Sequence, residues 1–305
     1  MASAREIKNR ISSVSDTKKI TNAMYLIAST KLSKCRRDLE NARPYFNALK
    51  EEVKRIFRVD EDIDSPYFYK RGTDMLHDGV YGILVISADK GLAGAYNSNV
   101  LKTVTSLINE HTDYKIYCVG SVGRNYFNSR NIPIVSDFSY SAKNPSIKTA
   151  KAISDALISD YLGKKIDKLY IVYTDMKNSL ESEVITNRLL PFHRKHFESS
   201  KEEKPIYHKF EYYPSLGNVL NNVMPGLLCG YIYSALVDSF CAEQNERMSA
   251  MDSSNRNADK LLSELSIEYN RVRQAAITQE ITEVSAGAKA MKNKRKKKLE
   301  KKGIK

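Results

Sequence analysis

Glycine is absent from both ends of this 305-residue sequence and concentrated in its middle. Residues 1–71 contain none, residues 231–286 contain none, and 11 of the 13 glycines lie between Gly72 and Gly230. Glycine and proline mark turns and are kept out of long helices. This distribution predicts a long helix at each end of the chain and a turn-rich globular domain between them.

The N-terminal segment, residues 1–58, has the apolar spacing of a coiled-coil helix. Its apolar residues recur in alternating steps of three and four, which is the heptad pattern. They are Leu32, Cys35, Leu39, Ala42, Phe46, Leu49, Val53 and Ile56. Pro44 lies inside this stripe and is expected to kink the helix or to open a turn. Residues 23–28 are apolar on every side, so we expect more protein around them than one partner helix supplies.

The C-terminal segment, residues 215–288, carries a second seam with the same spacing. Its members are Ala258, Leu262, Leu265, Tyr269, Val272 and Ala276. As one helix, residues 231–286 would reach roughly 84 Å, which exceeds the diameter of an ordinary domain. Gly287 marks the expected end of this helix.

The two terminal segments also differ in charge. Residues 1–58 carry a net +8 and residues 231–288 a net −4. Two long helices of opposite charge, each with one apolar seam, most simply pair with each other, and a domain inserted between them makes the pair antiparallel. The alternative is two separate helices packed on the middle domain, which the length of the second helix disfavours.

The middle segment, residues 75–214, has the alternating pattern of an α/β domain. Apolar and β-branched runs predict strands at 80–87, 115–119, 132–136, 168–174, 184–190 and 207–213. Amphipathic stretches predict helices at 96–110, 122–128 and 146–162. Strands that alternate with helices indicate a mostly parallel sheet.

Motifs for self-contained chemistry are missing from this sequence. The glycine-bearing loop at residues 87–97 has neither the G-x-G-x-x-G spacing nor the G-x-x-x-x-G-K-[ST] spacing, so a strand-to-helix turn is favoured over a phosphate site. His193 and His196 have no further ligands nearby in the sequence, and the four cysteines are too far apart for a C-x-x-C site. We therefore expect no catalytic residue, no metal site and no cofactor. No apolar run approaches the ~20 residues of a membrane-spanning helix.

The net charge of +13 is confined to the chain ends. Residues 59–230 are neutral overall, and residues 289–305 carry +9. A nucleic-acid enzyme would show a basic groove across a domain, so this distribution argues against one, and no nucleic-acid partner is expected. The basic run at 289–305 predicts a disordered, solvated tail.

Several motifs, in order along residues 1–291, resemble the gamma subunit of bacterial-type F-type ATP synthases. They lie at residues 7–14, 17–24, 42–45, 89–94, 246–251, 269–283 and 287–288. The resemblance implies an antiparallel coiled coil of the terminal helices, with a Rossmann-like α/β domain at its foot. It also implies the central rotor shaft of the synthase, which couples ion-driven rotation of the membrane c-ring to ATP synthesis or hydrolysis in the beta subunits.

The same resemblance implies partners and a location. The shaft would stand inside a hexamer of alpha and beta subunits, and its foot would sit on the c-ring with the epsilon subunit. The chain itself would be non-catalytic, and it would be a peripheral protein at the cytoplasmic face of the cell membrane. The tail after residue 288 departs from the family pattern.

The resemblance further implies roles for individual residues. A polar catch with a beta-subunit loop would be formed by Arg273 and Gln274. Residues that couple rotation to catalysis would be Met24, Arg247, Thr278 and Glu280, with Gln274. The alternative function is a non-rotary coiled-coil adaptor whose α/β domain binds a ligand. The Arg-Gln-Ala-x-Ile-Thr-Gln-Glu element at 273–280 argues against it, because a generic adaptor has no need of that element.

Overall fold

The computed structural model contains five helices and four strands in the part of the chain that it describes. That part comprises residues 3–60, 63–69, 79–176, 181–194, 197 and 211–300, with side chains up to residue 295. The helices are α1 (Ala4–Val59), α2 (Tyr96–Glu110), α3 (Ser121–Ser129), α4 (Ile147–Leu162) and α5 (Leu216–Glu300). The strands are β1 (Tyr81–Ile86), β2 (Tyr114–Val119), β3 (Lys168–Met176) and β4 (Ser182–Leu190).

Helix α1 begins at a capping box and runs through its proline. Ser3 and Glu6 exchange hydrogen bonds, from the backbone N–H of Ser3 to Oε2 of Glu6 at 2.8 Å and from the N–H of Glu6 to Oγ of Ser3 at 3.2 Å. The predicted stripe from Leu32 to Ile56 is buried or half-buried at every position. Of the two alternatives expected at Pro44, a kink or a turn, the turn is wrong, since the helix continues to Val59. Pro44 lies on the exposed face, where water can satisfy the carbonyl that loses its helical donor.

Helix α5 is longer than the sequence predicted. Its seam is buried or half-buried from Ala258 to Val272, whereas Ala276 is exposed. The prediction that this helix ends at Gly287 is wrong, because the helix continues to Glu300. The prediction that the chain is disordered from residue 289 is wrong for the same reason. One glycine inside a helix costs only about 1 kcal/mol relative to alanine, and strong helix formers flank this one.

One stretch of α5 is apolar and long enough, by composition alone, to cross a membrane. Of that stretch, 67% is buried inside the protein. The core helix of a protein has the same composition, and here the burial accounts for the apolar residues.

The sheet has the strand order β2-β1-β3-β4. β1 lies parallel to both β2 and β3, and β4 lies antiparallel to β3. The mostly parallel arrangement is confirmed. The predicted strand at 132–136 is wrong: it is reduced to a single bridge between Ile116 and Ile134, because Pro133 has no N–H to donate to a ladder. The strand predicted at 207–213 is also not found, since 211–213 are irregular and 207–210 lie outside the described residues.

Both faces of the sheet are covered, so β1 is buried along its whole length. Ile83 and Val85 pack on one face with apolar side chains of α2 and α3. Leu84 and Ile86 pack on the other face, in a cluster that includes α4 and parts of α1 and α5. A parallel sheet covered on both faces requires continuous apolar strands, which explains why the strands were visible in the sequence.

The chain divides into two compact units. The central unit is Leu26–Ala250, and the terminal unit combines Met1–Tyr25 with Met251–Lys305. Each unit contains part of α1 and part of α5.

Within each unit, α1 and α5 contact each other in antiparallel order. In the terminal unit Nζ of Lys18 lies 2.5 Å from Oδ1 of Asp259, and the hydroxyl of Thr21 is hydrogen-bonded to the side chain of Asn255. In the central unit the ring of Phe46 packs directly on Gly230.

Candidate functional site

Arg247 lies on α5 and is buried, with only 8% of its surface exposed. Its Nη2 is 2.6 Å from Oε1 of Glu243, one helical turn earlier, and donates a 3.1 Å hydrogen bond to the carbonyl of Gly91. Burial raises the pKa of Glu243, although Arg247 acts to lower it. The guanidinium therefore connects α5 to the loop between β1 and α2.

This loop is held in place by one carboxylate. Asp89 accepts hydrogen bonds from the backbone N–H groups of Ser121 at 2.9 Å, Ala142 at 2.9 Å and Lys143 at 3.2 Å, and from the hydroxyl of Ser141 at 2.5 Å. Burial acts to raise the pKa of Asp89, but these donors hold it below its ordinary value. The carboxylate thus joins the loop to the start of α3 and to the segment between α3 and α4. These hydrogen bonds hold the loop backbone, so the carbonyl of Gly91 is fixed in position for Arg247.

Close packing of backbone also requires a glycine beside this loop. Gly120 has a φ of +91°, and a Cβ there would lie 2.7 Å from the carbonyl carbon of Ser87. Both the conformation and the contact exclude a side chain. A second α5 side chain reaches this loop, since a Cβ on Gly94 would lie 3.0 Å from Oε2 of Glu246, whose Oε1 accepts a 3.1 Å hydrogen bond from the hydroxyl of Ser182 on β4.

Met24 lies on α1 and is half-buried. Just beyond it, Leu26 and Ile27 are 58% and 55% exposed. The sequence predicted that this apolar stretch needs protein on every side, and within this chain those two residues remain uncovered. Large apolar side chains in such positions are typical of a surface that another protein covers.

The remaining candidate residues lie where α5 is exposed all round. Every residue from 273 to 295 is exposed. Arg273, Gln274, Thr278 and Glu280 are all in this stretch, which we call the exposed end of α5. The hydroxyl of Thr282 donates to the backbone carbonyl of Thr278 at 2.8 Å.

Apolar residues share a side of the helix with these polar candidates. Spacings of three, four and seven place residues on one face of a helix. By this rule Ile277 and Val284 lie on the same face as Arg273 and Glu280, and Ile281 lies with Gln274 and Thr278. The exposed fractions of the apolar side chains are 43% for Ile277, 65% for Ile281 and 73% for Val284. The exposed end of α5 therefore has a mixed apolar and polar surface.

Four of the six candidate residues lie on the exposed end of α5: Arg273, Gln274, Thr278 and Glu280. Arg247 belongs to the central unit and has its own partners there. Sequence reasoning missed Glu243 and Gly91 as these partners. The i, i+4 spacing of Glu243 and Arg247 was a usable signal for the first of them.

Metal ligands do not gather anywhere in the described part of the chain: no group of three or more His, Cys, Asp or Glu is placed to hold an ion. The ring of His193 stacks on Tyr69 with 5.5 Å between ring centroids, and His196 lies outside the described residues. All four cysteines are free thiols and buried.

Comparison with known proteins gives matches over nearly the whole chain. The sequence model of a family described as "ATP synthase" matches residues 3–291. The ATP synthase gamma chain of Caldanaerobacter subterraneus is 39% identical over 293 residues, covering 93% of this chain and 98% of that protein. The ATP synthase gamma chain of Ruminiclostridium cellulolyticum is 37% identical over 290 residues, covering 94% and 98%. The chain belongs to the gamma-chain family of F-type ATP synthases.

Solved structures agree with this fold. A chain of the Euglena gracilis mitochondrial ATP synthase matches with a TM-score of 0.66 at 15% identity and covers 96% of both chains. A chain of the Tetrahymena thermophila central stalk and c-ring matches with a TM-score of 0.57 at 23% identity, covering 77% of this chain and 98% of that one. As a member of the gamma-chain family, this chain is a central-stalk subunit of the ATP synthase, a membrane-associated complex.

Proposed function

We propose that this chain is the rotating shaft of the synthase, which couples ion-driven rotation of the c-ring to ATP synthesis or hydrolysis in the beta subunits. In this proposal α1 and α5 form an antiparallel coiled coil inside the hexamer of alpha and beta subunits. The α/β region sits on the c-ring with the epsilon subunit, at the cytoplasmic face of the membrane. The chain carries no catalytic group of its own.

The observation that carries the proposal is the exposed end of α5. A helix whose residues are exposed on every face gains almost nothing from tertiary packing, and most helices in proteins depend on such packing. Here the exposed residues include Ile277, Ile281 and Val284, which favour an environment of protein over water. A sleeve of surrounding subunits supplies that environment.

The antiparallel contacts between α1 and α5 support the coiled coil. They comprise the Lys18–Asp259 ion pair and the Thr21–Asn255 hydrogen bond in the terminal unit, and the packing of Phe46 on Gly230 in the central unit. A shaft also requires continuous helices, and both helices run through residues that commonly break them, Pro44 in α1 and Gly287 in α5.

Coupling requires that the shaft contact some beta-subunit conformations better than others. A rotor that bound all conformations equally would shift no equilibrium. We assign the polar catch to Arg273 and Gln274, and the coupling contacts to Met24, Arg247, Thr278 and Glu280. Around the exposed end of α5, charged and amide groups are interspersed with apolar ones, so one rotational position can satisfy a hydrogen bond that another leaves unpaired.

Met24→Lys tests the bearing part of the proposal, with Met24→Leu as the matched control. A lysine in a tight sleeve either buries a charge or finds a wrong partner, whereas leucine keeps the apolar volume. We expect the reconstituted Met24→Lys complex to assemble and hydrolyse ATP but to pump fewer ions per ATP than the wild type, and Met24→Leu to behave as the wild type. Equal pumping ratios in all three complexes would refute the placement of Met24.

Affinity purification of the chain from its native membrane tests the partners. We expect alpha, beta and epsilon subunits and the c-ring to be recovered with it. The purified chain alone should hydrolyse no ATP. Recovery without alpha and beta subunits, or turnover that persists after contaminating beta subunit is removed, would overturn the shaft proposal.

A further inference from the structure

Cys35 on α1 and Cys241 on α5 occupy opposite positions where these two helices pack in the central unit. The ring of Phe46 packs on Gly230, which fixes the antiparallel register of the two helices there. Cys35 lies eleven residues before Phe46, and Cys241 lies eleven residues after Gly230. Eleven residues are about three full helical turns, so each cysteine lies on the same helix face as its reference residue in that contact. The register therefore places the two thiols opposite each other.

The two thiols interact directly within the core. Both side chains belong to the same buried apolar cluster, with exposed fractions of 6% for Cys35 and 3% for Cys241. A hydrogen bond between the thiols is the main cause that raises the pKa of Cys35 and lowers the pKa of Cys241. Burial and Asp238 oppose the change at Cys241, and Arg36 adds to it. Cys35 is therefore the hydrogen-bond donor, and Cys241 is the acceptor and the more acidic thiol.

The other two cysteines have different surroundings. Burial is the main cause that raises the pKa of Cys118 and of Cys229, and among the described residues no second thiol contributes to either shift. Cys229 is 8% exposed, which is slightly more than either Cys35 or Cys241. Contact with a second thiol, rather than access, therefore distinguishes Cys35 and Cys241 from Cys229.

We propose that Cys35 and Cys241 form a reversible disulfide when the chain meets a peroxide, and that this bond links α1 to α5. The sulfur of Cys241 attacks one oxygen of hydrogen peroxide, so that an S–O bond forms as the O–O bond breaks. The departing hydroxide takes up the thiol proton and becomes water, which leaves a sulfenic acid on Cys241.

The second step uses the neighbouring thiol. The sulfur of Cys35 attacks the sulfenic sulfur of Cys241, the S–S bond forms, and the S–O bond breaks. The hydroxyl leaves with the proton of Cys35 as a second water. Each sulfur has then lost one electron, and the peroxide has gained both. A dithiol reductant reverses the reaction by thiol–disulfide exchange.

The bond would join two segments that are 206 positions apart in the sequence. A disulfide stabilises a fold mainly by restricting the unfolded chain, and the effect grows with the length of the closed loop. The link would therefore hold the two helices together under oxidising conditions. The site lies within the central unit, shares no residue with the coupling set, and does not depend on the shaft proposal.

Hydrogen peroxide is the probe, applied to the purified full-length chain and to the assembled complex. The temperature is kept below the point at which circular dichroism detects unfolding, so that only folded protein reacts. Free thiols are then blocked with N-ethylmaleimide, and proteolytic fragments are compared by mass spectrometry before and after reduction. The variants are Cys35→Ala and Cys241→Ala. Cys229→Ala is the matched control, because Cys229 is a buried thiol on the same helix as Cys241.

We expect the wild type and Cys229→Ala to give a fragment pair joined through Cys35 and Cys241. The joined pair should be two hydrogens lighter than its separate fragments and should come apart on reduction. Oxidation should also raise the melting temperature of these two proteins by about 3 °C or more, and should not raise that of Cys35→Ala or Cys241→Ala.

Three results would overturn the proposal. The first is absence of the joined pair after peroxide treatment of either the chain or the complex. The second is a disulfide that joins Cys35 or Cys241 to Cys118, to Cys229 or to a second copy of the chain instead. The third is an equal rise in melting temperature in the Cys35→Ala variant, which would show that oxidation stabilises the chain without this bond.

Discussion

Removing the Arg247 guanidinium should destabilise the fold by an amount that depends on pH. In Arg247→Met the side chain keeps its apolar stem but leaves Glu243 without its partner at 2.6 Å. Both side chains are about one-tenth exposed or less, so water cannot replace the lost ion pair. Breaking a buried pair by removing one partner costs about 3–5 kcal/mol.

Protonation of Glu243 sets an upper limit on this cost. An unfolded glutamate has a pKa of about 4.3, so keeping it protonated at pH 7 costs about 3.7 kcal/mol, and at pH 5 only about 1 kcal/mol. In the folded variant Glu243 is either a buried unpaired charge or a protonated carboxyl, and the state of lower free energy is the one populated. The unpaired carboxyl therefore contributes a loss of about 3–4 kcal/mol at pH 7 that shrinks to about 1 kcal/mol at pH 5.

The direction follows from proton binding. Burial already raises the pKa of Glu243, and loss of Arg247 raises it further. The folded variant then binds more protons than the unfolded chain above pH 4.3, so its stability falls as pH rises. Loss of the hydrogen bond to Gly91 adds about 1 kcal/mol at every pH, so the total loss is about 4–5 kcal/mol at pH 7 and about 2 kcal/mol at pH 5.

Urea unfolding followed by circular dichroism at several pH values measures this. The control is the double variant Arg247→Met with Glu243→Leu, which replaces the pair with apolar side chains and should recover most of the loss at pH 7. A loss of the same size at pH 5 and pH 7, or no recovery in the double variant, would refute the reasoning.

Three further predictions concern single positions. Gly230→Ala places a Cβ 2.7 Å from Cγ of Phe46 and should lower the free energy of unfolding by about 1–3 kcal/mol, whereas Gly217→Ala meets open space and should not destabilise α5, as urea titration would reveal. Burial raises the pKa of Asp238 to about 6, so the ionised carboxylate destabilises the fold at neutral pH. Asp238→Asn should therefore raise the free energy of unfolding by at most about 3 kcal/mol at pH 7.5 and by little at pH 4. A stability difference between variant and wild type that stays the same from pH 4 to pH 7 would contradict this. Gly120→Ala should lower the melting temperature sharply, because the position needs a positive φ and lies against backbone; an unchanged melting temperature would count against that contact.

The helices and most strands could be predicted because their patterns are local. The seam from Leu32 to Ile56 is a spacing along one helix, and the buried strands are continuous apolar runs. The turn expected as one alternative at Pro44 and the helix end expected at Gly287 are both absent, because a residue that weakens a helix does not end one when its neighbours are helical on both sides. The predicted strand at 132–136 failed because Pro133 lacks a ladder donor.

The contacts of the candidate site could be predicted only in part. Glu243 was within reach of pattern analysis, because it lies four residues before Arg247. The hydrogen bond from Arg247 to Gly91 joins residues far apart in sequence, and only the fold brings them together.

The continuation of α5 past Gly287 changes how its basic residues behave. On a flexible chain, like charges move apart and cost little. On a helix, Lys289, Lys292 and Arg295 are held three residues apart on one side, where neighbouring like charges repel. Repulsion between these cations therefore destabilises the helical end of α5 in dilute buffer. Salt reduces this repulsion, because it screens exposed charges over about 8 Å at physiological ionic strength. Any polyanion that it meets would encounter an ordered row of cations, and neutralising that row would strengthen the helix.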